Sequence, residues 1–212
     1  MTDHYYSANP QSPHKPGQVE TEYRGQRLTF GTDSGVFSRT ELDRGTEILL
    51  DALPEAMTGS LLDLGCGWGV IGVTLGKVHP GLEITMADIN QRACDLSVEN
   101  AEKNGVAARV IVSDGYEQLE GLSFDYIVQN PPIRAGKSVI YGMFARGAEA
   151  LREGGSLWLV IRKQQGAPSA QNYLLTLFGS VEIVNKEAGY WIFCCRNPLN
   201  QKPLKEENRN EV

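Results

Sequence analysis

Asp63, Gly65, Gly67 and Gly69 stand close together, between the apolar pairs Leu61-Leu62 and Val70-Ile71. An apolar run, a carboxylate, alternating glycines and a second apolar run predict a strand, a tight turn and a helix. Glycines lack a Cβ, so the backbone can approach a ligand at the turn, and a nucleotide-like cofactor is the expected occupant. Some sixty residues later Asn130, Pro131, Pro132 and Ile133 follow another apolar run, Phe124 to Gln129. An asparagine side-chain oxygen can accept one N–H of an amino group, and the Pro131 carbonyl the other. The prolines restrict the backbone so that both acceptors are preorganised. The first motif proposes a cofactor and the second a chemistry.

Two cofactors compete for the glycines. Gly67 to Gly72 fits G-x-G-x-x-G, the dinucleotide fingerprint, with Asp88 21 residues beyond Gly67. Asp63 weighs against that reading. A pyrophosphate over a helix N-terminus would be repelled by a carboxylate two residues before the first glycine. S-adenosylmethionine has no phosphate, and its sulfonium and α-amino group are both positive. The residues favour the methyl donor; a dinucleotide-dependent oxidoreductase is the alternative. With a methyl donor, the Asn130 motif would hold a target nitrogen near tetrahedral geometry, its lone pair towards the methyl group. Asparagine is not a base, so the contribution is proximity and stabilisation of developing positive charge, and the proton leaves after transfer.

The segment Asp63 to Gly69 resembles the first motif of the class I S-adenosylmethionine-dependent methyltransferases. The resemblance implies that Gly65, Gly67 and Gly69 bind the cofactor with Asp63, that Asp88 holds its ribose hydroxyls, and that Asp114 faces its adenine amino group. A carboxylate can indeed take two charge-assisted hydrogen bonds from a diol. Asn130 to Ile133 resembles the fourth motif of members that methylate exocyclic or amide nitrogens. Many relatives have an aromatic residue where Ile133 stands, stacking on the target; Phe37 is a candidate for that task. Thr32 to Ser38, Leu42 to Thr46, the opening His4 to Ser7 and Asn130 to Lys137 resemble the ribosomal small-subunit guanine-N2 methyltransferase family. That resemblance covers the catalytic half; classical members carry a second, degenerate half. It implies ribosomal RNA, or the assembled small subunit, as partner. Arg134 and Lys137 flank the reacting motif and are candidates for phosphate contacts.

Composition is consistent with this. The chain has 212 residues, 41% of them hydrophobic, enough for one domain with a full core. No run is long enough for a membrane span, and no signal peptide is recognised. Cys66, Cys94, Cys194 and Cys195 lack metal spacing and read as reduced thiols of a cytoplasmic protein. His4, His14 and His79 suggest neither a metal site nor a triad, and His79 before Pro80 reads as a helix-end residue. The net charge of −6 disfavours a generic nucleic-acid binder. Its distribution is uneven: Glu83 to Asp125 holds nine acids and three bases, whereas Pro131 to Gln165 holds six bases and two acids. An acidic enzyme can still turn one basic face to a polyanion. Arg146 and Arg152 read as solvated helix charges.

These residues need a scaffold. Weak alternation over 19–31 around Arg24-Gly25 predicts a hairpin. Ser38 to Glu41 matches a capping box opening a helix through about residue 53. Strands are expected near 60–65, 82–88, 107–113, 124–130 and 155–162, and helices near 69–78, 90–104, 137–153 and 167–178. Final strands near 180–186 and 189–195 are joined so tightly that they must be antiparallel. Cys194 and Cys195 then point to opposite faces. The fold expected is α/β: a doubly wound, mostly parallel seven-stranded methyltransferase sheet ending in an antiparallel hairpin, helices on both faces. One domain is expected over 1–196, with an N-terminal extension and hairpin over about 1–40, and a disordered tail over 197–212.

The function expected is transfer of a methyl group to guanine N2 of 16S ribosomal RNA. Transfer to adenine N6 or a protein glutamine amide would use the same motif. A non-catalytic RNA-binding relative is a further alternative, disfavoured by the intact Asn130 motif.

Overall fold

The computed structural model describes residues 13–36, 38 and 40–199. Strands β1 (Gly17–Tyr23) and β2 (Gln26–Thr32) form a hairpin, followed by α1 (Arg44–Ala52), β3 (Gly59–Leu64) and α2 (Val70–Val78). Next come β4 (Leu82–Asp88), α3 (Gln91–Asn104), β5 (Ala108–Val112), β6 (Phe124–Gln129) and α4 (Lys137–Ala150). The chain ends in β7 (Leu151–Arg162), α5 (Ala167–Leu174), β8 (Phe178–Glu187) and β9 (Tyr190–Pro198). Seven strands make one sheet in the order β5-β4-β3-β6-β7-β9-β8. The first five strands in that order run parallel, and β9 is antiparallel to both β7 and β8. This is the expected α/β architecture.

The order reverses between β3 and β6. From β3 the chain moves outward to β4 and β5, then returns to place β6 on the other side of β3. The loops leaving β3 and β6 therefore diverge and open a crevice at the carboxyl edge, the ligand site of open α/β sheets. The glycine turn leaves β3 and Asn130 leaves β6. Except for Gly59 at its start, β3 is buried throughout, as a central parallel strand must be. Helix α2 packs on β4 more closely than a side chain would permit: a Cβ on Gly72 would lie 2.7 Å from Met86 Cγ.

The core has two layers. Val73, Met86, Val128, Trp158 and Cys194 belong to the layer shared with the hairpin and α1. Ile127, Phe144, Leu174, Phe193 and Cys195 belong to the layer under α4 and α5. Cys194 and Cys195 thus face opposite sides, as strand alternation requires. Both hairpins close with two residues at positive φ, Arg24-Gly25 and Ala188-Gly189, the handedness that suits twisted strands.

The N-terminal hairpin is not part of the large sheet. Two helix asparagines hold its β2 edge. Asn100 accepts from Gly31 N (2.6 Å) and donates to Gly31 O (2.9 Å), while Asn104 accepts from Thr29 N (3.1 Å) and donates to Thr29 O (2.9 Å). The amides of α3 thereby do what a neighbouring strand would do.

Several boundaries differ from the expectations. The Ser38 box does not open α1. Asp43 is its N-cap, accepting from Thr46 N at 3.0 Å, while Ser38 Oγ donates to Glu41 O at 2.7 Å. Helix α4 stops at Ala150, because residues 151–154 join β7 through an irregularity opposite Phe124 and Tyr126. Arg152 is accordingly a strand residue, paired with Asp125 at 3.0 Å rather than a solvated helix charge. Helix α5 ends at Leu174, and Phe178 opens β8 opposite Pro198. Strand β9 reaches Pro198, past the expected start of the tail; residues 200–212 lie outside the described residues. His79 is the C-cap of α2, its N–H on Leu75 O. All four cysteines are free and buried.

Candidate active site

A cavity of about 680 Å³ opens at the carboxyl ends of β3, β4 and β6. One end is built from the glycine turn. Gly65 N and Cys66 N donate to Ala87 O at 2.8 and 3.0 Å, tying the turn to the end of β4. Gly65 (φ 72°) and Gly67 (φ 56°) are left-handed, and a Cβ on either would meet nothing within 4 Å. They present bare backbone to the cavity. Gly69 (φ 83°) is the N-cap of α2 and is not on the cavity wall; a Cβ there would reach Ser97 Oγ at 3.0 Å.

Asp88 is on the wall. Its Oδ2 accepts from Gly67 N and its Oδ1 from Asn90 N, both at 2.9 Å. With the Ile89 N–H also turned to it, the carboxylate keeps acceptor capacity for a ribose hydroxyl. Burial raises its carboxyl above the usual range, and the backbone N–H bonds pull the other way. Asp114 also lines the cavity, exposed, on the loop after β5.

Asp63 stands differently from the expectation. It is fully buried, is not on the cavity wall, and lies behind the turn, its Oδ2 accepting from Gly72 N at 2.9 Å. It clamps β3 to the first turn of α2. Burial pushes its pKa up to about 7; the Gly72 bond opposes this and the charge of Asp88 adds to it.

The other end of the cavity is built from Asn130, Pro131, Pro132, Ile133 and Arg134. The Pro132 carbonyl accepts from Ala135 N at 2.8 Å, winding Ile133–Ala135 into a short 3-10 turn. Ile133 is half-buried and packs on the core under α4, so its side chain also serves that layer. Asn130 is held from an unexpected direction. Its Nδ2 donates to Asp43 Oδ2 at 3.1 Å and to Thr46 Oγ1 at 3.0 Å, the cap and first turn of α1, both lining the cavity.

Arg134 is exposed at the cavity edge. Lys137 is not on the wall; it opens α4 and donates to Ser169 Oγ at 3.0 Å. Phe37 lies outside the described residues. The structure adds residues the sequence reading passed over. Arg162 and Tyr190 line the cavity from β7 and β9, the guanidinium 4.6 Å above the ring. Asp43 and Thr46 lie in the segment Leu42 to Thr46 that carries the family resemblance, but nothing in the sequence assigns them to the site or places them against Asn130. Among the described residues no three His, Cys, Asp or Glu side chains converge as a metal site requires.

Comparison with known proteins places the fold in a family. The model of the methyltransferase small domain matches residues 27–194. The protein YbxB of Bacillus subtilis is 43% identical over 195 residues, 91% of this chain and 97% of its own. Ribosomal RNA small subunit methyltransferase C of Aeromonas hydrophila is 38% identical over 181 residues, 84% of this chain but 52% of its own. The solved structure of the T. thermophilus 16S rRNA N2 methyltransferase RsmC, in complex with AdoMet and guanosine, superposes with a TM-score of 0.78 at 28% identity. That match covers 89% of this chain and 52% of the other. The chain thus spans nearly all of YbxB and about half of the named ribosomal RNA methyltransferases. With its fold, its cavity and its sequence in accord, the chain belongs to the methyltransferase small domain family.

Proposed function

We propose that the protein is an S-adenosylmethionine-dependent N-methyltransferase of the cytoplasm, acting on guanine N2 in 16S ribosomal RNA. The observation that carries this reading is one cavity with two different ends: a glycine turn with Asp88 at one, and a tethered Asn130 amide at the other.

The cofactor end fits a methionine-derived nucleoside better than a dinucleotide. A pyrophosphate needs free N–H groups at the start of α2, and the Gly72 N–H is already taken by Asp63. Gly65 and Gly67 would lie against the ligand, Asp88 would take the ribose hydroxyls, and Asp114 would face the adenine. When bound, the donor supplies a methyl carbon on a sulfonium, so that an N–C bond forms as the C–S bond breaks and sulfur keeps the electron pair.

The residues at the other end prepare the nitrogen. Both hydrogens of the Asn130 amide are engaged, so its oxygen remains to accept an amino N–H. The Pro131 carbonyl would accept the second. Held this way, the amino nitrogen turns its lone pair out of conjugation with the ring. The two acceptors stabilise the positive charge that develops, and the surplus proton leaves for water. T. thermophilus RsmC was solved with guanosine, and carrying guanine over to this chain is part of the proposal.

The test is methyl transfer from labelled donor to isolated small ribosomal subunits and to naked 16S RNA, followed by nucleoside analysis. The expected product is N2-methylguanine, and Asn130→Ala should reduce single-turnover transfer by roughly 10²–10³, the usual loss for one preorganised polar group. Label in N6-methyladenine or in protein glutamine would overturn the substrate, and near-parental transfer by Asn130→Ala would overturn the mechanism.

A further inference from the structure

We propose that Asp43 and Thr46 are positioning residues for the transfer step, locking the Asn130 amide in the one orientation that presents its oxygen to the cavity. This rests on the nitrogen-methyltransferase reading above and names the device that makes it selective.

An asparagine amide has two ends of nearly equal shape and opposite hydrogen-bonding sense, and alone it can present either. Here its surroundings decide. A carboxylate oxygen only accepts, so the end of Asn130 that lies 3.1 Å from Asp43 Oδ2 must be the nitrogen. The second amide hydrogen goes to Thr46 Oγ1 at 3.0 Å. The Thr46 hydroxyl directs its own hydrogen towards Asp43 Oδ2, at 3.5 Å, which leaves its lone pairs for Asn130. A flipped amide would set its oxygen against the Asp43 carboxylate, and Thr46 could satisfy it only by turning its hydroxyl hydrogen away from Asp43.

The locked amide offers the cavity an acceptor and no donor. It therefore recognises a nitrogen that carries hydrogens, an exocyclic amino group or an amide. A ring nitrogen without hydrogen, or a carbonyl oxygen, would face it lone pair to lone pair. Selection of an amino nucleophile thus originates in α1, far from the reacting motif in sequence.

The lock is itself rigid. Asp43 Oδ2 also caps α1 through Thr46 N at 3.0 Å, and Thr46 is 3% exposed. Between them, a Cβ on Gly45 would lie 2.9 Å from Asp43 Oδ2 and 2.7 Å from Tyr190 Cε1. The first turn of α1 is pressed against β9, so the carboxylate has little room to swing away.

Capping and locking can be separated. Asp43→Ser retains a good cap but shortens the side chain by one atom, withdrawing it from Asn130. Asp43→Asn retains both the cap and an acceptor oxygen. Thr46→Val removes the second acceptor at constant shape. Each variant is compared with the parent in three measurements: melting temperature, donor dissociation constant, and single-turnover transfer to small subunits at saturating donor.

Asp43→Ser and Thr46→Val should transfer about 10–100-fold more slowly, the usual cost of removing a partner that orients a reacting group. Their donor affinity should be unchanged, and Asp43→Asn should recover most of the rate. In the ligand-free protein, the side-chain NH₂ of Asn130 followed by NMR should exchange with solvent about tenfold faster in Asp43→Ser than in the parent, the weight of one hydrogen bond. Parental transfer and parental exchange in Asp43→Ser and Thr46→Val would overturn the lock while leaving the functional reading intact. So would a rate loss in Asp43→Asn as deep as in Asp43→Ser. An inactive parent with slow Asn130 exchange would overturn the functional reading and the transfer role assigned to these residues.

Discussion

Asp63 is a buried carboxylate with one oxygen on the Gly72 N–H and the other without a partner. Burial is the largest cause of its pKa rising from 3.8 to about 7 in the folded protein. Between those values the folded chain holds a proton that the unfolded chain has lost. Stability contributed at low pH is therefore lost as the pH rises from about 4 through about 7. Asp63→Asn keeps an oxygen for Gly72 and removes the titration. Its melting temperature, measured without ligand, should gain on the parent's as the pH moves from about 5 to about 8. A difference that stays constant across that range would mean that Asp63 does not titrate with folding. That Gly65, Gly67 and Asp88 share one cavity was legible because they end adjacent strands, whereas Gly69 lies off its wall. Asp63 was readable as an acid at a turn but not as one behind it, since a strand residue can face either side. The contact between Asp43 and Asn130 joins residues 87 apart and has no local signature.

At the scale of elements, α3 does two jobs. Its start and stop were legible: Asn90 caps it with its side chain on Ala93 N, and Gly105 closes it at φ 67°. Such caps are chemical signals within a few residues of the helix end. Its grip on the hairpin was not legible, because Asn100 and Asn104 read as ordinary polar helix residues until β2 is laid against them. Asn100 also donates to Trp68 O at 2.8 Å, and Trp68 meets Phe30 of the hairpin edge-on with ring centroids 5.0 Å apart. One amide thus braces both β2 and the glycine turn. Asn100→Ala removes a hydrogen-bond partner from Gly31 N, Gly31 O and Trp68 O, and should cost about 1–3 kcal/mol in denaturant unfolding. It should also weaken S-adenosylmethionine binding by calorimetry. Asn104→Ala, which loses Thr29 but touches no residue of the turn, should destabilise comparably with donor affinity retained. Equal affinity losses in the two variants would show that Asn100 acts on the ligand only through general stability.

On the scale of the whole molecule the question is how a chain of net charge −6 would hold an RNA. Most of its acids between Glu83 and Asp125 sit on β4, α3 and the loops up to β6, whereas the bases after Pro131 follow the reacting motif. Such a division repels a polyanion from one side and orients it towards the other. The fold then sorts the bases. Arg152 is paired with Asp125, and Arg146 lies within 3.4 Å of Glu149 and 3.9 Å of Glu120. Arg134 and Arg162 line the cavity itself, from the turn after β6 and the end of β7. The Arg162 guanidinium stands over the Tyr190 ring, and a guanidinium there can meet either a phosphate or the face of a base. These two arginines are therefore expected to carry the electrostatic part of binding to small-subunit RNA. Arg134→Ala and Arg162→Ala should each weaken binding and flatten the plot of log affinity against log salt by about 0.7–0.9 for each phosphate no longer neutralised. Arg146→Ala should leave that slope unchanged, because its charge is already engaged by acids away from the cavity. The measurement is fluorescence anisotropy with a labelled RNA fragment over a salt series. Slopes equal to the parent's in both cavity variants would move phosphate binding to another face of the molecule. A shallower slope in Arg146→Ala would mean that its ion pairs give way to RNA.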